Sequence, residues 1–238
     1  MSWEILFHDE LDAEVQTYPQ ALQDELLAHA LLLRDFGPNL GRPTVNGLKG
    51  SRHANMKELR FAWEGEVWRV AFAFDPKRQA ILLVGGNKAG ADQRRFYKRL
   101  IAVADARFDH HLAEQQQTGK EQRHGKKLDQ IMAALPAGRR GEIEARAAEL
   151  ATLKDLRQAV AQTQEELAAT LGVGQDTISR LEKRSDMLLS TLRRYVEAMG
   201  GKLELVARFP DRPPLVIDHL AQETSARRAT NAPAKAPA

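Results

Sequence analysis

Residues 56–88 read MKELRFAWEGEVWRVAFAFDPKRQAILLVGGNK and decide the fold of the first half of the chain. Apolar and polar residues alternate on both sides of Glu64-Gly65, which predicts two strands joined by a tight turn. A second turn is predicted at Asp75-Pro76-Lys77-Arg78, followed by a buried central strand from Ala80 to Val84 that stops at Gly85-Gly86. Consecutive hairpins of this kind predict a small antiparallel sheet.

Further elements are predicted on both sides of this sheet. Residues 3–7 are strand-like, and apolar residues then recur at helical spacing in a pair of helices that break at Tyr18-Pro19. A basic amphipathic helix is predicted from about Asp92 to Leu112. We expect the early helices to cover one side of the sheet, so the first half belongs to the α+β class.

Composition and hydropathy exclude several classes of protein. The chain has 238 residues, a net charge of +3 and no cysteine, which excludes disulfide frameworks, cysteine–zinc sites, iron–sulfur clusters and thiol nucleophiles. No apolar run approaches the length of a membrane span, and the first residues lack the features of a signal peptide. We therefore expect a cytoplasmic protein with no membrane partner, and no metal or organic cofactor has a recognisable site.

The charges are distributed in blocks. Residues 1–41 carry one Arg and eight acids, residues 42–107 carry fourteen basic and six acidic residues, and residues 120–238 have a net charge of +4. The two basic stretches favour polyanionic partners, so we expect two separate surfaces that face nucleic acid. The alternative is that each basic cluster is only a solvated face.

Apolar residues almost vanish between Ala113 and Lys127, which predicts a domain boundary. The second half is expected to be helical apart from a short strand over residues 202–207. The predicted organisation is a first domain at residues 1–113, a linker at 114–125, a second domain at 126–220 and a disordered tail at 221–238.

Residues 153–199 have the layout of a helix-turn-helix module with a small core. Thr163 and Glu166 predict a capped helix, and Gly172-Val173-Gly174 predicts the turn before the next helix, with Val173 filling the core. Three apolar stripes are expected to form the rest of that core: Leu153, Leu156 and Val160; Leu167, Ala168 and Leu171; Ile178 and Leu181.

The polar face of the last of these helices suits a DNA groove, because Gln, Ser, Thr and Arg bond to base edges and phosphates. The predicted DNA-binding residues are Gln164, Gln175, Thr177, Ser179, Arg180 and Lys183. The segment resembles the phage-repressor-like (XRE) helix-turn-helix family in TQEELA at 163–168, LGV at 171–173 and TISRLE at 177–182. The resemblance implies dimers on a two-fold operator, whereas the alternative is a module that only docks protein.

The first half lacks the common catalytic motifs, and Gly85 to Gly90 is best interpreted as a strand-ending turn. Its basic sheet suits RNA cleavage by the ribose 2′-hydroxyl, which needs a base, an acid and cations around the phosphorane. Ala71 and Ala73 share a strand face with Arg69, and their small side chains are expected to leave room for a substrate. The predicted catalytic residues are Arg60, Arg69, Lys88, Tyr97 and His111, and the predicted RNA-binding residues are Lys57, Arg94 and Arg95.

Five segments of the first half resemble the RelE/HigB-type toxin family over about residues 2–113. They are MKELR at 56–60, WRVAFAFDP at 68–76, AILLVGGNK at 80–88, FY at 96–97 and ADARFDHHL at 104–112. The resemblance implies a small antiparallel sheet with N-terminal helices, and cleavage of mRNA on the ribosome without a metal. By position, it implies the same five catalytic residues.

Residues 126–207 resemble the HigA-type antitoxins that accompany such toxins. We therefore predict a natural fusion in which the antitoxin half inhibits the toxin half, within one chain or in a homodimer, and represses its own operon. A short tether would keep the two halves at a high effective concentration. The alternatives are a transcriptional regulator whose first domain has lost catalysis and a ParE-like toxin that poisons a topoisomerase, since one fold serves several functions.

Overall fold

The computed structural model describes residues 2–88, 92–117, 125–184, 186–209 and 212–217. The chain divides into two compact units, Met1–Arg184 and Ser185–Ala238. In the first unit, the described residues form a six-stranded, mostly antiparallel sheet with helices on both faces, followed by further helices. The predicted α+β class with a helical second half is confirmed.

No helix in the described ranges is both long enough and apolar enough to cross a membrane.

The elements of the first unit begin with β1 (Glu4–Phe7), α1 (Asp9–Gln16), α2 (Gln20–Phe36) and a 3-10 turn (Gly37–Asn39). The sheet continues with β2 (Val45–Gly47), β3 (Met56–Trp63), β4 (Glu66–Phe74) and β5 (Gln79–Asn87), and α3 (Gln93–Gln117) follows. The unit ends with β6 (Lys126–Lys127), α4 (Leu128–Ala134), α5 (Ala137–Leu150), α6 (Leu153–Ala159), α7 (Gln164–Leu171) and α8 (Gln175–Leu181). The second unit contains α9 (Leu189–Ala198), β7 (Val206–Phe209) and β8 (Arg212–Val216).

The sheet has the strand order β2-β3-β4-β5-β1-β6. Both predicted hairpins are present, and Glu64 and Gly65 adopt the positive φ angles of 49° and 77° that a tight turn requires. One pairing differs from the prediction, because β1 lies parallel to β5, with Glu4 opposite Gln79. Nothing in the sequence of β1 specifies its partner strand, so the parallel pair was not predicted.

Alternation along the strands divides the core between the two faces of the sheet. Val70, Phe72 and Leu82 face α1 and α2, as predicted for the early helices. Ala71 and Ala73 face α3 and are fully buried beneath it. The expectation that these alanines leave room for a substrate is therefore wrong, because their small side chains instead let α3 pack closely on the sheet.

A β-bulge at Leu83 changes which residues of β5 face α3. Leu82 pairs with Phe72 while Val84 pairs with Ala71, so Leu83 is an extra residue in the ladder. Its carbonyl oxygen accepts a hydrogen bond of 2.7 Å from Arg107 Nη1. Beyond the bulge, the even-numbered residues of β5 lie on the α3 face.

Residues 125–159 pack against the first half of the chain. β6 pairs with the edge strand β1, and α5 lies along α2. Leu128, Met132, Ile143 and Ala147 are buried in the same apolar cluster as the inner face of α2. The α3 helix continues to Gln117, so residues 114–117 of the predicted linker are helical, and residues 118–124 lie outside the described ranges.

The end of the chain differs from the prediction in two places. The predicted strand over residues 202–207 is observed at Val206–Phe209. Its partner β8 contains Pro213 and Pro214, which lack the backbone N–H that a strand uses and therefore gave no strand signal. The predicted tail at 221–238 lies outside the described residues.

The fold predicts a pH-dependent stability that depends on His29. This side chain is 4% exposed on α2, and burial lowers its pKa below the ordinary value of 6.5. Folding therefore favours the neutral imidazole, whereas the unfolded chain takes up a proton as the pH falls below about 6.5. We expect the melting temperature to fall between about pH 7 and pH 5, and to fall less in His29→Gln. Thermal unfolding with exposed His110→Gln as the control tests this, and equal pH slopes in all three proteins would contradict it.

Candidate functional site

Adjacent strands place three of the predicted cations at one end of the sheet. Arg60 on β3 lies directly opposite Arg69 on β4, and Arg69 lies opposite Gly86 on β5. Lys88 follows two residues later on the same face, and its backbone N–H donates a hydrogen bond of 2.8 Å to the carbonyl of Val67. Arg60, Arg69 and Lys88 are called the cationic cluster below.

The first turn of α3 covers part of this cluster. The ring of Phe96 packs against Gly86, where a Cβ atom would lie 3.1 Å from the ring. The next residue, Tyr97, has its ring centroid 5.6 Å from Lys88 Nζ, which is within the range of a cation–π interaction. A side chain at position 86 would therefore require the Phe96 ring to shift slightly, and Tyr97 beside Lys88 is the next residue.

The members of the cluster differ in their access to solvent. The Arg69 side chain is 5% exposed, and its Nη1 donates a hydrogen bond of 2.7 Å to the carbonyl of Trp68. The Arg60 side chain is 35% exposed, and Lys88 and Tyr97 are half-buried. Arg60 and Lys88 therefore form the accessible part of the cluster, next to Tyr97, and Arg69 lies behind them.

The structure adds a residue that the sequence reasoning missed. Glu58 is 3% exposed and lies on the same face of β3 as Arg60. Its Oε1 is 3.8 Å from Arg60 Nε and its Oε2 is 3.6 Å from Arg69 Nε. The two-residue spacing between Glu58 and Arg60 was the available signal, since it places both side chains on one face of a strand.

His111, which was predicted as a catalytic residue, lies far along α3 from Tyr97 and the cluster. The two residues are fourteen positions apart on α3, which corresponds to about 21 Å along a helix. His111 is 5% exposed, with Nε2 3.4 Å from Asp75 Oδ2. Burial opposes ionisation of Asp75, but hydrogen bonds from His111, Gln115 and the turn backbone hold its pKa below the ordinary value. His111 therefore stabilises the turn between β4 and β5.

The predicted RNA-binding residues lie on different faces. Arg94 and Arg95 are exposed in the first turn of α3, beside Tyr97. Lys57 lies on the opposite face of the sheet from Arg60, with its Nζ 5.5 Å from the centroid of Phe74. Burial lowers the pKa of Lys57. The structure thus separates Lys57 from the cluster, because adjacent residues of a strand point to opposite faces.

In the described ranges, no three His, Asp or Glu side chains lie close enough together to hold a metal ion.

The predicted turn and cap of the helix-turn-helix are confirmed. Thr163 Oγ1 accepts a hydrogen bond of 3.1 Å from the Glu166 backbone N–H, and Glu166 Oε2 accepts one of 2.7 Å from Thr163 N–H. Gly172 follows α7 in the left-handed conformation, with φ of 67°. These local signals set the beginning and end of α7.

Only part of the predicted helix-turn-helix core is buried. Leu167, Ala168 and Ile178 are buried as predicted. Val173, which was expected to fill the core, is 39% exposed, and the α6 residues Leu156 and Val160 are 39% and 49% exposed. These predictions are wrong because an apolar stripe shows which residues share a face but not that another element covers it.

The predicted DNA-binding residues surround α8. Gln175, Arg180 and Lys183 are exposed, whereas Thr177 and Ser179 are half-buried. Gln164 at the start of α7 is half-buried, and its amide donates a hydrogen bond of 2.8 Å to Glu182 Oε2. The exposed groups of α8 therefore offer cations and an amide to a ligand, while the Gln164 amide is engaged within the module.

A buried ion pair joins α6 to the end of α8. Arg157 Nε lies 2.6 Å from Glu182 Oε1, and the two side chains are 7% and 4% exposed. Arg157 Nη1 also donates a hydrogen bond of 2.5 Å to the carbonyl of Gln162. This network fixes α8 relative to α6.

Ion pairs attach β6 and α5 to the acidic first segment of the chain. Arg146 Nε lies 2.9 Å from Glu25 Oε2, and its Nη2 donates a 3.1 Å hydrogen bond to Glu25 Oε1. Arg139 is 2.7 Å from Asp24, and Lys127 pairs with Glu4. The Arg139 and Arg146 contacts lie on the α1–α2 side of the sheet, and the cationic cluster lies on the α3 side.

Comparisons with known proteins match the two halves of the chain to two different families. Residues 13–109 match the phage-derived Gp49-like protein family, and residues 132–208 match a helix-turn-helix domain family. HigB3 of Mycobacterium tuberculosis, which is named as a toxin, is 52% identical over 82 residues, covering 34% of this chain and 69% of HigB3. The chain belongs to the HigB toxin family. HigB2 of the same organism is 49% identical over 98 residues. The match covers 40% of this HigB-like chain and 48% of HigB2, so the chain spans about half the length of that relative.

The second half of this HigB family member has a different relative. HigA2 of M. tuberculosis, which is named as an antitoxin, is 36% identical over 61 residues, covering 25% of this chain and 60% of HigA2. A solved structure titled as DNA-bound antitoxin HigA3 is 35% identical, with a TM-score of 0.28, and covers 30% of this chain and 95% of that chain. The predicted union of HigB-like and HigA-like parts in one polypeptide is confirmed by the sequence matches.

Proposed function

We propose that this protein is a fused toxin–antitoxin system. Its HigB-like half cuts mRNA on the ribosome, and its HigA-like half restrains this activity and represses its own operon. The observation that carries the proposal is the convergence of Arg60, Lys88 and Tyr97 at one accessible end of the sheet. Ribosomes and operators are both cytoplasmic, so we propose that the protein acts in the cytoplasm.

The cluster supplies the cations that RNA cleavage requires, and Tyr97 supplies an acid. Attack by a ribose 2′-hydroxyl, whose proton passes to solvent water, creates a phosphorane whose negative charge grows in the transition state. Arg60 can bond two phosphate oxygens at once, and Lys88 adds a second cation held over Tyr97. We assign to Tyr97, which lies beside Lys88, the role of donating a proton to the leaving oxygen. Arg69 adds positive charge from a buried position, where low dielectric strengthens its effect.

The position of α4 and α5 supports inhibition of the HigB-like half by a contact that does not cover the cationic cluster. Their ion pairs and apolar contacts are with α2 and β1, on the sheet face opposite the cluster. We propose that they prevent productive docking on the ribosome by occupying the α1–α2 side.

The exposed residues of α8 support binding of operator DNA. Arg180 is exposed on the face of α8 opposite the buried Ile178, and Lys183 is exposed in the turn that follows α8. A recognition helix with this polar face fits the major groove, and two copies would read a two-fold operator.

Breaking the docking contact is expected to release cleavage. Arg146→Glu places a third acid beside Glu25 and Glu149, so the contact between α5 and α2 should weaken and the undocked fraction should rise. We expect at least about tenfold more cleavage of translated mRNA by the full chain, measured by primer extension. Arg140→Glu, a neighbouring charge reversal on α5, is the control and should have no effect. Equal cleavage by wild type and Arg146→Glu would contradict cis restraint.

Cleavage in the Arg146→Glu background is expected to depend on the accessible cations. Arg60→Ala and Lys88→Ala should each reduce the rate by about 10²-fold or more, since each removes a charge that stabilises the phosphorane. Lys77→Ala, at an exposed turn at the other end of β4, is the control. Absence of any cuts would favour the regulator without catalysis, and topoisomerase inhibition without cuts would favour the ParE-like alternative.

Operator binding is expected to depend on Arg180. Arg180→Ala should weaken binding to the protein's own promoter DNA by about 1–3 kcal/mol, which is the loss of one bidentate contact. A gel-shift titration of the full chain measures this, with Arg140→Ala as the control. Unchanged affinity would reject the role of Arg180.

A further inference from the structure

Glu58 occupies the buried centre of the charged residues at this end of the sheet. Its carboxylate oxygens lie 3.8 Å from Arg60 Nε and 3.6 Å from Arg69 Nε. These separations allow attraction but exceed the 2.7–2.9 Å of a charge-assisted hydrogen bond. Among the described residues, Glu58 Oε2 and the Nε atoms of both arginines are buried without a hydrogen-bond partner.

Such an arrangement is poorly suited to stabilising the fold. Buried charged groups are costly unless they are paired and hydrogen-bonded, and here three unpartnered atoms lie together. A structural ion pair in the same protein, between Arg157 and Glu182, closes to 2.6 Å. The open geometry around Glu58 therefore indicates a constraint set by function.

The cross-strand register explains why an acid is needed at this place. Arg60 and Arg69 lie directly opposite each other on antiparallel strands, where like charges repel. Glu58 lies opposite Ala71, two pairs further along the ladder and therefore on the same face. Its single negative charge attracts the Nε side of both guanidinium groups, so two cations can occupy neighbouring positions without separating.

We infer that Glu58 is a positioning residue for RNA cleavage: its carboxylate fixes the two arginines that stabilise the phosphorane. This inference rests on the proposed function. Arg60 Nε is buried although its side chain is 35% exposed, so the accessible surface lies on the rest of that side chain. Glu58 thus anchors the inner side of Arg60 and leaves its outer part available to RNA.

Loss of the Glu58 charge has two opposite consequences. Glu58→Gln raises the local net charge by one, so RNA should bind at least as tightly and with a steeper salt dependence. The arginines are no longer held in position, so the chemical step should slow. A residue that only supports the fold would instead lower binding and cleavage together.

The test uses the full chain in the Arg146→Glu background with programmed ribosomes. We expect Glu58→Gln to lower kcat by about tenfold or more with KM unchanged or reduced, and Glu58→Asp to recover part of the rate. Glu64→Gln, which removes the same charge at the exposed hairpin turn, is the control and should leave both constants unchanged. Unchanged kcat, or a loss that follows the fraction unfolded in thermal melts, would overturn the inference.

A second measurement separates this inference from the proposed function. The Nε–Hε signals of Arg60 and Arg69 in ¹H–¹⁵N spectra should shift in Glu58→Gln and stay in place in Glu64→Gln, whether or not RNA is cut. If the wild-type protein cuts no RNA, the proposed function fails while this placement of the arginines is still measured. Arginine signals that are identical in wild type and Glu58→Gln would overturn the positioning role.

Discussion

The β-bulge at Leu83 determines which side chains meet at the cationic cluster. Before the bulge, Ile81 faces α3, and beyond it Val84, Gly86 and Lys88 do. In a regular strand, Lys88 would point to the α1–α2 side, away from Arg60 and Arg69. Arg107 holds the bulge by bonding the Leu83 carbonyl, and it is itself held by Glu14 at 2.6 Å and by Glu10. A contact between α3, β5 and α1 thus sets the geometry of a site formed elsewhere on the sheet.

Charge organises the chain at a larger scale. The acidic first segment is matched by cations from residues 126–146, so its negative charge is largely used within the molecule. The cations of residues 42–107 at the cluster have only Glu58 as a nearby buried acid among the described residues. Opposite faces of one sheet consequently carry an internal, charge-matched contact and an exposed surface suited to a polyanion.

Features set by neighbouring residues were predictable from the sequence, and those set by distant ones were not. The hairpin at Glu64-Gly65, the capping box at Thr163 and the strands before Gly86 follow from local steric and hydrogen-bonding preferences, and the motifs also identified the family. The partner strand of β1, the exposure of Val173 and the bulge at Leu83 depend on packing between segments far apart in sequence. The bulge in particular shifts a side chain to the other face, which is why alternation alone could not place Lys88.

The apolar cluster shared by α2, α4 and α5 also affects how the HigB-like and HigA-like halves could be separated in a cell. Leu128, Met132 and Ile143 are at most 5% exposed within the cluster that includes α2. Burial of side chains of this size stabilises by about 1.5–3 kcal/mol each. Cleavage of the peptide chain between the halves would therefore leave α4 and α5 bound to α2. A protease that frees the HigB-like half must unfold or digest those helices, and the covalent link mainly governs how quickly they rebind.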